Sequence, residues 1–266
     1  METKRPDVAL VLSSGSSRGL AAIGAIESLQ SHGFKITSVA GCSMGAIVGG
    51  MFAAGKLPEL KDWYKQMTLR KMLSLSDFKP RLNYLLGGEK IMQALAELIP
   101  GVQIEDLEIP LALIASDMNT GEEVVFREGD LSHAIRASFS LPLILEPVQD
   151  GNRLLMDGGI TNALPLNRVA RKPGDILVSV NVSARERPDL KAVMSKNSRF
   201  ASLMNRVNDI MIQQHCELMK QLCPPDINID VAMNQFGMFE FDHADKIINY
   251  GRHLMDRAIE NFDKKA

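Results

Sequence analysis

The sequence predicts an α/β fold in which a parallel sheet carries helices on its faces. Residues 8–12 are a short, continuously apolar run, which is typical of a strand buried on both faces. A turn of small residues and an amphipathic helical pattern follow, and the same order of strand, turn and helix recurs over residues 36–54. Parallel neighbours need a crossover connection, so this alternation favours parallel strands.

Glycines mark the expected ends of the first two helices. The first helix is predicted over residues 19–32, with leucine and isoleucine at a spacing of three, and Gly33 ends it. The second strand is predicted over residues 36–40. The second helix is predicted over residues 44–54, and Gly55 ends it in the same way.

The second half of the chain continues the alternation and closes with two long amphipathic helices. Further strands are predicted at residues 111–115, 123–126, 153–156 and 176–182. The apolar positions of the first long helix are Leu203, Val207, Ile210, Met211, Leu218 and Leu222. Those of the second are Ile247, Ile248, Gly251, Leu254, Met255, Ala258, Ile259 and Phe262. Both stripes are expected to pack on the sheet, and Asp242 is the expected N-cap of the second helix.

Length and composition limit the classes of function. The 266 residues, 45% hydrophobic and 23% charged, fit one globular domain over residues 1–266. A net charge of −2 disfavours a nucleic-acid partner bound by bulk electrostatics. No apolar run approaches the roughly 20 residues of a membrane span, and no export signal is recognised. Three cysteines without metal-ligand spacing fit a reducing compartment, so a cytoplasmic location is expected.

The most informative motif is a serine between two glycines at the end of a predicted strand. Residues 41–45 read Gly-Cys-Ser-Met-Gly, the pattern G-x-S-x-G, where the second strand gives way to the second helix. Gly41 and Gly45 are expected because a tight turn leaves no room for flanking side chains, and Ser43 is thereby raised above the sheet edge. Chance gives about 0.1 such match, so the strand–turn–helix context matters. The alternative is a turn that only lets the helix pack closely.

A serine nucleophile needs a base, and the histidines are poorly placed to supply one. A triad histidine would follow a late strand as a loop residue, but His215, His243 and His253 fall in or beside predicted helices. His133 is expected in the first turn of a helix, and nothing in its surroundings recommends it as a base. A serine–histidine acyltransferase is therefore disfavoured.

An aspartate is better placed to act as the base. The predicted strand 153–156 runs directly into Asp157, which is followed by Gly158 and Gly159. Two glycines at a strand end let the carboxylate approach another backbone closely. A carboxylate within hydrogen-bond reach of a hydroxyl accepts its proton without an imidazole, so Asp157 is the candidate base. The alternative is a tight Asp-Gly turn without a catalytic role.

The turn after the first strand is the candidate oxyanion site. It lies at a helix N-terminus and precedes the strand next to the one that ends at the serine, so it should lie beside Ser43. The backbone N–H groups of Gly15 and Ser16 are the expected donors, and Arg18 adds fixed positive charge. A P-loop and a dinucleotide-binding fingerprint are both excluded by the glycine spacing of this turn.

Four blocks together resemble the patatin-like phospholipases, especially compact bacterial members. Residues 13–19 resemble the family's glycine-rich oxyanion loop with its arginine, and residues 41–45 its nucleophile elbow. Residues 136–148 resemble the loop beside the site. Residues 157–165 resemble its D-G-G/A block, followed by Asn and Pro. The resemblance covers most of the chain.

The resemblance implies a three-layer α/β/α fold with a mostly parallel central sheet. It also implies a serine lipid acyl hydrolase of the phospholipase A or esterase type, with a Ser43–Asp157 dyad, no cofactor and no metal. Its substrate would be a lipid or another acyl ester. The sequence departs from the family where Ser13, Ser14 and Ser16 replace loop glycines. This departure supports an alternative, a catalytically weak lipid- or acyl-binding regulatory protein on the same fold.

Residues 56–90 are a candidate lid or membrane-contact segment. They hold eight Lys or Arg and four Asp or Glu, interleaved with aromatic and apolar residues such as Trp63 and Tyr64. A basic amphipathic segment can lie on an anionic membrane, so peripheral contact with the inner membrane face is one hypothesis. The alternative is a helix that covers the sheet and keeps its lysines in water. Neither these patterns nor the composition determine an oligomeric state.

Overall fold

A mostly parallel sheet forms the centre of the protein. The computed structural model describes residues 5–67, 78–81, 84–86, 89–142, 144–190 and 200–265. In chain order the strands are β1 (Asp7–Leu12), β2 (Lys35–Cys42), β3 (Phe78–Arg81), β4 (Tyr84–Leu86), β5 (Leu111–Asp117), β6 (Glu123–Phe126), β7 (Val148–Asp150), β8 (Arg153–Asp157), β9 (Ile176–Ala184) and β10 (Ile227–Ala232). The α-helices are α1 (Ala21–Ser31), α2 (Met44–Ala53), α3 (Leu57–Lys65), α4 (Glu89–Ala96), α5 (Leu131–Ser138), α6 (Gly159–Asn162), α7 (Phe200–Leu222) and α8 (Ala244–Asp263).

The order of strands across the sheet is β10-β9-β1-β2-β5-β8-β7. All neighbours from β10 to β5 are parallel, whereas β8 pairs antiparallel with β5, and β7 pairs antiparallel with β8. Strand β6 also pairs antiparallel with β5, and β3 and β4 form a separate antiparallel pair. The prediction of a mostly parallel α/β sheet is confirmed.

The two faces of the sheet bury different amounts of side chain. On one face, Val8, Leu10 and Leu12 of β1 belong to a large apolar core shared with α1, α2, α5 and α8. On the other face, Ala9 and Val11 belong to a smaller cluster, which α7 covers. Alternate strand residues point to opposite faces, so β1 reads as a continuous apolar run, as the sequence indicated. Helices therefore cover both faces, which confirms the three-layer architecture.

The predicted strands and the first two helices are present with small shifts at their ends. The turn before α1 is a 3-10 helix over Ser16–Leu20, so the α-helix begins at Ala21 rather than at Gly19. Strands β3, β4, β7 and β10 were not anticipated. The prediction of Asp242 as an N-cap is wrong, because Asp242 lies inside a 3-10 turn and His243 precedes the first residue of α8.

Most of the stripe predicted for α8 is buried, but it packs chiefly on α1 as well as on β10, and the prediction that the apolar positions of α7 are buried on the sheet is wrong. Helix α8 buries Ile247, Ile248, Gly251, Met255 and Ile259. The six apolar positions expected to bury α7 are instead exposed: Leu203, Val207, Ile210, Met211, Leu218 and Leu222. The helix rests on the sheet through the opposite side, because the alanine-rich sheet face beneath it contacts Cys216 and Met219.

The segment 56–90 is described only in part. Helix α3 buries Leu57, Leu60 and Tyr64, and the Tyr64 hydroxyl lies 3.6 Å from Met44 Sδ. Lys61 pairs with Glu27, and Lys65 with Asp245. This helix contacts α2 and α8, and its lysines are ion-paired, so it differs from the expected helix that covers the sheet and keeps its lysines in water. Residues 68–77, 82–83 and 87–88 lie outside the described residues, so a lid in this segment stays a prediction. Among the described residues, no helix is long and apolar enough to cross a bilayer.

Candidate functional site

Ser43 lies at a strained turn between β2 and α2. Its backbone has a φ of 56° and a ψ of −121°, a conformation that residues other than glycine rarely adopt. A Cβ at Gly41 would lie 2.4 Å from the carbonyl oxygen of Gly45, and one at Gly45 would lie 2.3 Å from that of Leu12. Both flanking positions therefore require glycine, for the steric reason the motif predicts.

The register of the sheet brings Asp157 next to this turn. Strand β5 lies between β2 and β8, with Cys42 opposite Ile114 and Ala115 opposite Asp157. A Cβ at Gly158 would lie 2.2 Å from the Ile114 carbonyl oxygen, so glycine lets the chain cross β5 closely. The Ser43 hydroxyl donates a hydrogen bond of 2.5 Å to Asp157 Oδ2. Both side chains are buried.

The remaining polar atoms of the pair are also bonded. The backbone N–H of Gly159 donates to Asp157 Oδ1 over 2.8 Å, and the backbone N–H of Ser43 donates to Ser138 Oγ over 2.9 Å. Burial raises the pKa of Asp157 to about 6, and the hydrogen bonds from Ser43 and Gly159 oppose part of this rise. The carboxylate is thus held in one orientation, with a pKa near neutral pH.

The loop at residues 13–17 is tied down at most of its backbone groups. Ser13, Ser14 and Ser17 donate backbone N–H bonds to the carbonyls of Val180, Ala163 and Met238, respectively. Within the described part of the chain, the N–H groups of Gly15 and Ser16 donate to no protein acceptor. A Cβ at Gly15 would lie 2.4 Å from Val182 Cγ2, so the loop packs against β9 too closely for a side chain there.

Two serine hydroxyls of this loop are buried and have no hydrogen-bond partner among the residues that the structure describes. These are Ser14 Oγ and Ser16 Oγ, and Ser16 has a positive φ of 51°. A buried hydroxyl without a hydrogen bond is costly, so such groups usually face a ligand or water. Both serines line the same cleft as Ser43 and Asp157.

This Ser43 cleft has an empty volume of about 550 Å³, its open mouth included. Its polar wall comprises Ser14, Gly15, Ser16, Arg18, Ser43, Asp157, Gly159, Ser183, Asn208 and Asp209. Its apolar wall comprises Leu141, Pro142, Ile144, Ile160, Ile212 and Met238. A cleft with convergent polar groups on one side and apolar side chains on the other suits an acyl ester.

A model of the patatin-like phospholipase family matches residues 10–170, more than half of the chain. The chain belongs to the patatin-like phospholipase family. The matched range contains all four blocks on which the resemblance was based.

Two relatives are considerably longer than the part that matches this chain. An uncharacterized NTE family protein of Mycobacterium tuberculosis is 41% identical over 181 residues, or 68% of this chain and 50% of that protein. The mouse patatin-like phospholipase domain-containing protein 7 is 31% identical over 191 residues, or 69% of this chain and 14% of that protein. The chain thus spans half or less of the length of these relatives.

Solved structures with the same fold are much more distant in sequence. VipD from Legionella pneumophila has a TM-score of 0.52 at 11% identity, over 98% of this chain and 67% of that one. ExoU of Pseudomonas aeruginosa, in its complex with SpcU, has a TM-score of 0.53 at 16% identity, over 98% and 52%. At such identities the likeness concerns the fold.

Arg18 is buried and holds the loop of this patatin-like chain in place. Its Nε donates to the Val182 carbonyl over 3.0 Å, and its Nη1 donates to the carbonyls of Met233 and Phe236. Burial lowers its pKa, while Asp209 and Glu186 oppose that shift. The guanidinium thus links the loop to β9 and to the chain after β10, and its action on an oxyanion stays a prediction.

Several residues of the cleft were missed by sequence reasoning. Pro142 lines the cleft, and Ser138, which accepts the Ser43 N–H, lies behind it. Both fall within the block that resembles the family's loop beside the site, so that resemblance was the available signal. Asn208 and Asp209 belong to α7, whose pattern suggested only packing. Burial raises the pKa of Asp209, and the nearby Arg18 opposes the rise. No histidine lines the described wall of the cleft, and the described residues contain no cluster of three metal-ligating side chains.

Proposed function

We propose that this chain is a serine lipid acyl hydrolase of the phospholipase A or esterase type. The observation that carries the proposal is the 2.5 Å hydrogen bond from the Ser43 hydroxyl to Asp157 Oδ2. Membership of the patatin-like phospholipases supports hydrolysis of lipid esters in general. The assignment of Ser43 as nucleophile and Asp157 as base adds the chemistry that this geometry allows.

In the first half-reaction, Ser43 Oγ bonds to the ester carbonyl carbon as its proton passes to Asp157. The carbonyl oxygen becomes an oxyanion, which accepts hydrogen bonds from the N–H groups of Gly15 and Ser16. The intermediate collapses, the bond to the alcohol breaks, and the alcohol leaves with the proton from Asp157. Water then attacks the acyl carbonyl carbon as one of its protons passes to Asp157. The bond from this carbon to Ser43 Oγ breaks, Ser43 recovers the proton from Asp157, and the carboxylic acid is released.

The surroundings of Asp157 support its role as a base without a histidine. With a pKa of about 6, Asp157 is ionised at neutral pH. Its pKa is also closer to that of the serine hydroxyl than the pKa of an exposed aspartate is, which favours proton transfer from Ser43. The hydrogen bond from Gly159 leaves Oδ2 free to face Ser43. No step of this proposed reaction requires a histidine side chain.

The decisive measurement is hydrolysis of a p-nitrophenyl acyl ester series by wild type, Ser43→Ala and Asp157→Asn. We expect Ser43→Ala to lower kcat/KM by about 10⁴-fold or more, because the acyl-enzyme cannot form. Asp157→Asn should lower it by about 10²- to 10⁴-fold through loss of the base. Ser31→Ala, a serine at the exposed end of α1, is the matched control and should retain activity. Turnover that survives Ser43→Ala would refute the proposal.

A second candidate function is a lipid- or acyl-binding regulatory protein with little turnover. The buried side chain of Ser16 in the cleft favours it, because a glycine there would leave more room for an oxyanion. Labelling with a fluorophosphonate separates the two candidates. An activated Ser43 should label far faster than surface serines, whereas a binding protein should label no faster than Ser43→Ala.

A further inference from the structure

Helix α7 carries an apolar surface that no described part of the chain covers. Its members, which we call the α7 stripe, have side chains exposed by 41% to 66%. They are Leu203, Val207, Ile210, Met211, Leu218 and Leu222. Single exposed apolar residues are common, but a contiguous group on one helix marks an interaction surface.

The stripe is continuous and uncharged. With about 100° of rotation per residue, its members fall within an arc of about 120° on the helix. The exposed positions between them, Gln214 and Gln221, are neutral. The opposite side of α7 rests on the sheet through Cys216 and Met219. The stripe therefore presents apolar side chains without charges to an occupant.

The same helix also forms part of the Ser43 cleft. Asn208, Asp209 and Ile212 line the cleft from α7. Two further exposed apolar residues belong to segments that line the cleft. Ile160 is itself in its wall, and Phe239 follows Met238, which is also in the wall. An occupant of the stripe would thus lie close to the route by which a substrate enters.

We propose that the α7 stripe seats the protein on a lipid layer by inserting its apolar side chains among the lipid chains. The choice of a lipid rests on the proposed function, since the occupant must leave the cleft open to substrate. A second copy of the chain on the same surface would place protein beside the entrance instead. Because the stripe is neutral, binding should extend to zwitterionic lipids and depend little on salt. This differs from attraction of the basic segment 56–90 to anionic lipids.

The test uses vesicles of phosphatidylcholine and the Ser43→Ala protein, so that binding is measured without turnover. Co-sedimentation is compared for three proteins. The first is Ser43→Ala alone, the second also carries Met211→Glu and Leu218→Glu (the α7 pair), and the third instead carries Asn249→Glu and His253→Glu. The last pair is the matched control, since both positions are exposed on α8 and add the same two charges. We expect the α7 pair to weaken binding by at least about tenfold and the control pair to leave it unchanged. Binding should be similar at about 0.05 M and 0.5 M salt.

Three readouts make failure of this proposal distinct from failure of the proposed function. The α7 pair in the active protein should retain kcat/KM on a soluble short-chain ester, which also verifies folding. If wild type shows no esterase activity while vesicle binding still depends on the α7 stripe, the proposed function is refuted and the docking surface stands. Absence of binding, equal loss in both pairs, or a dimer in sedimentation that only the α7 pair dissociates would overturn the docking surface.

Discussion

The two polar parts of the cleft differ in how completely their groups are hydrogen-bonded. Around the Ser43–Asp157 pair, each oxygen and N–H discussed above has a protein partner. In the loop, the N–H groups of Gly15 and Ser16 and the hydroxyls of Ser14 and Ser16 have none among the described residues. The bonded part is oriented before substrate arrives, whereas the unbonded part recovers its desolvation cost when a ligand supplies an oxygen. Under the proposed function, these unmet hydrogen-bonding groups are where the substrate oxyanion would bind.

The largest effect on this comparison should come from Gly15→Ala. The new Cβ would lie 2.4 Å from Val182 Cγ2 and 3.1 Å from the Val182 carbonyl oxygen, so the loop must move. We expect a loss of about 10²- to 10³-fold in kcat for ester hydrolysis, the range for loss of one oxyanion donor. Gly55→Ala is the control, because Gly55 also has a positive φ but has no atom near its Cβ. If Gly15→Ala keeps full activity, the loop does not supply the hydrogen-bond donors of the proposed mechanism.

The pH dependence of stability and of activity tests the environment of Asp157 in the hydrogen-bonded Ser43–Asp157 pair. The folded-state pKa of Asp157, about 6, lies above that of an unfolded aspartate, so the native state binds this proton more tightly. Its contribution to the free energy of unfolding therefore falls as pH rises from about 4 to about 6, by an amount on the order of 3 kcal/mol. Relative to Asp157→Asn, wild type should lose stability over this range in urea titrations. The same ionisation should make kcat/KM rise through pH of about 6.

At Asp117 the free energy of unfolding should change with pH in the opposite direction, and Asp117→Asn tests this. Hydrogen bonds, first that from the Asn119 N–H, lower the pKa of Asp117. Wild type should therefore gain stability relative to Asp117→Asn as pH rises through the lowered pKa. A stability difference between wild type and Asp157→Asn that stays constant with pH would contradict the raised pKa.

Ser138→Ala should have a smaller effect than the preceding variants, chiefly a loss in the free energy of unfolding. It removes the acceptor of the Ser43 N–H and leaves that buried donor without a partner. Loss of a buried partner costs about 1 to 3 kcal/mol, and thermal or urea unfolding would measure it. Rescue by Ser138→Thr, which keeps the hydroxyl, would attribute the loss to the hydrogen bond. An unchanged midpoint would mean that the elbow does not depend on this contact.

Ser14→Ala should have the smallest effect and the opposite sign. The Ser14 hydroxyl is buried and has no partner in the described part of the chain, so its removal should stabilise the free protein by about 1 kcal/mol. The comparison with Ser138→Ala is direct, because each variant deletes one buried serine hydroxyl, bonded to the Ser43 N–H in one case and without a described partner in the other. Equal destabilisation by both variants in urea unfolding would mean that the bonded and unbonded parts do not differ.

The two long helices mark where sequence patterning suffices and where it fails. Both show apolar residues at helical spacing, yet α8 buries its stripe and α7 exposes its own. Helix α8 packs closely on α1, because Gly24 and Gly251 leave room where a Cβ would lie within about 2 Å of the facing backbone. The sheet face beneath α7 is lined with alanines such as Ala9 and Ala40, and its small cluster is filled by residues that were not in the stripe.

The sequence by itself determined the strand–turn–helix order, the glycine-flanked Ser43 and the Asp157-Gly-Gly block, because tight turns and buried strands restrict residue types locally. Only the tertiary structure decided that Asp157 reaches Ser43 across β5, since strand register depends on pairing between distant segments. It also decided that Asn208 and Asp209 enter the cleft and that the α7 stripe faces outward. Spacing along a helix defines a face, whereas what covers that face depends on the volume that the rest of the chain leaves to fill.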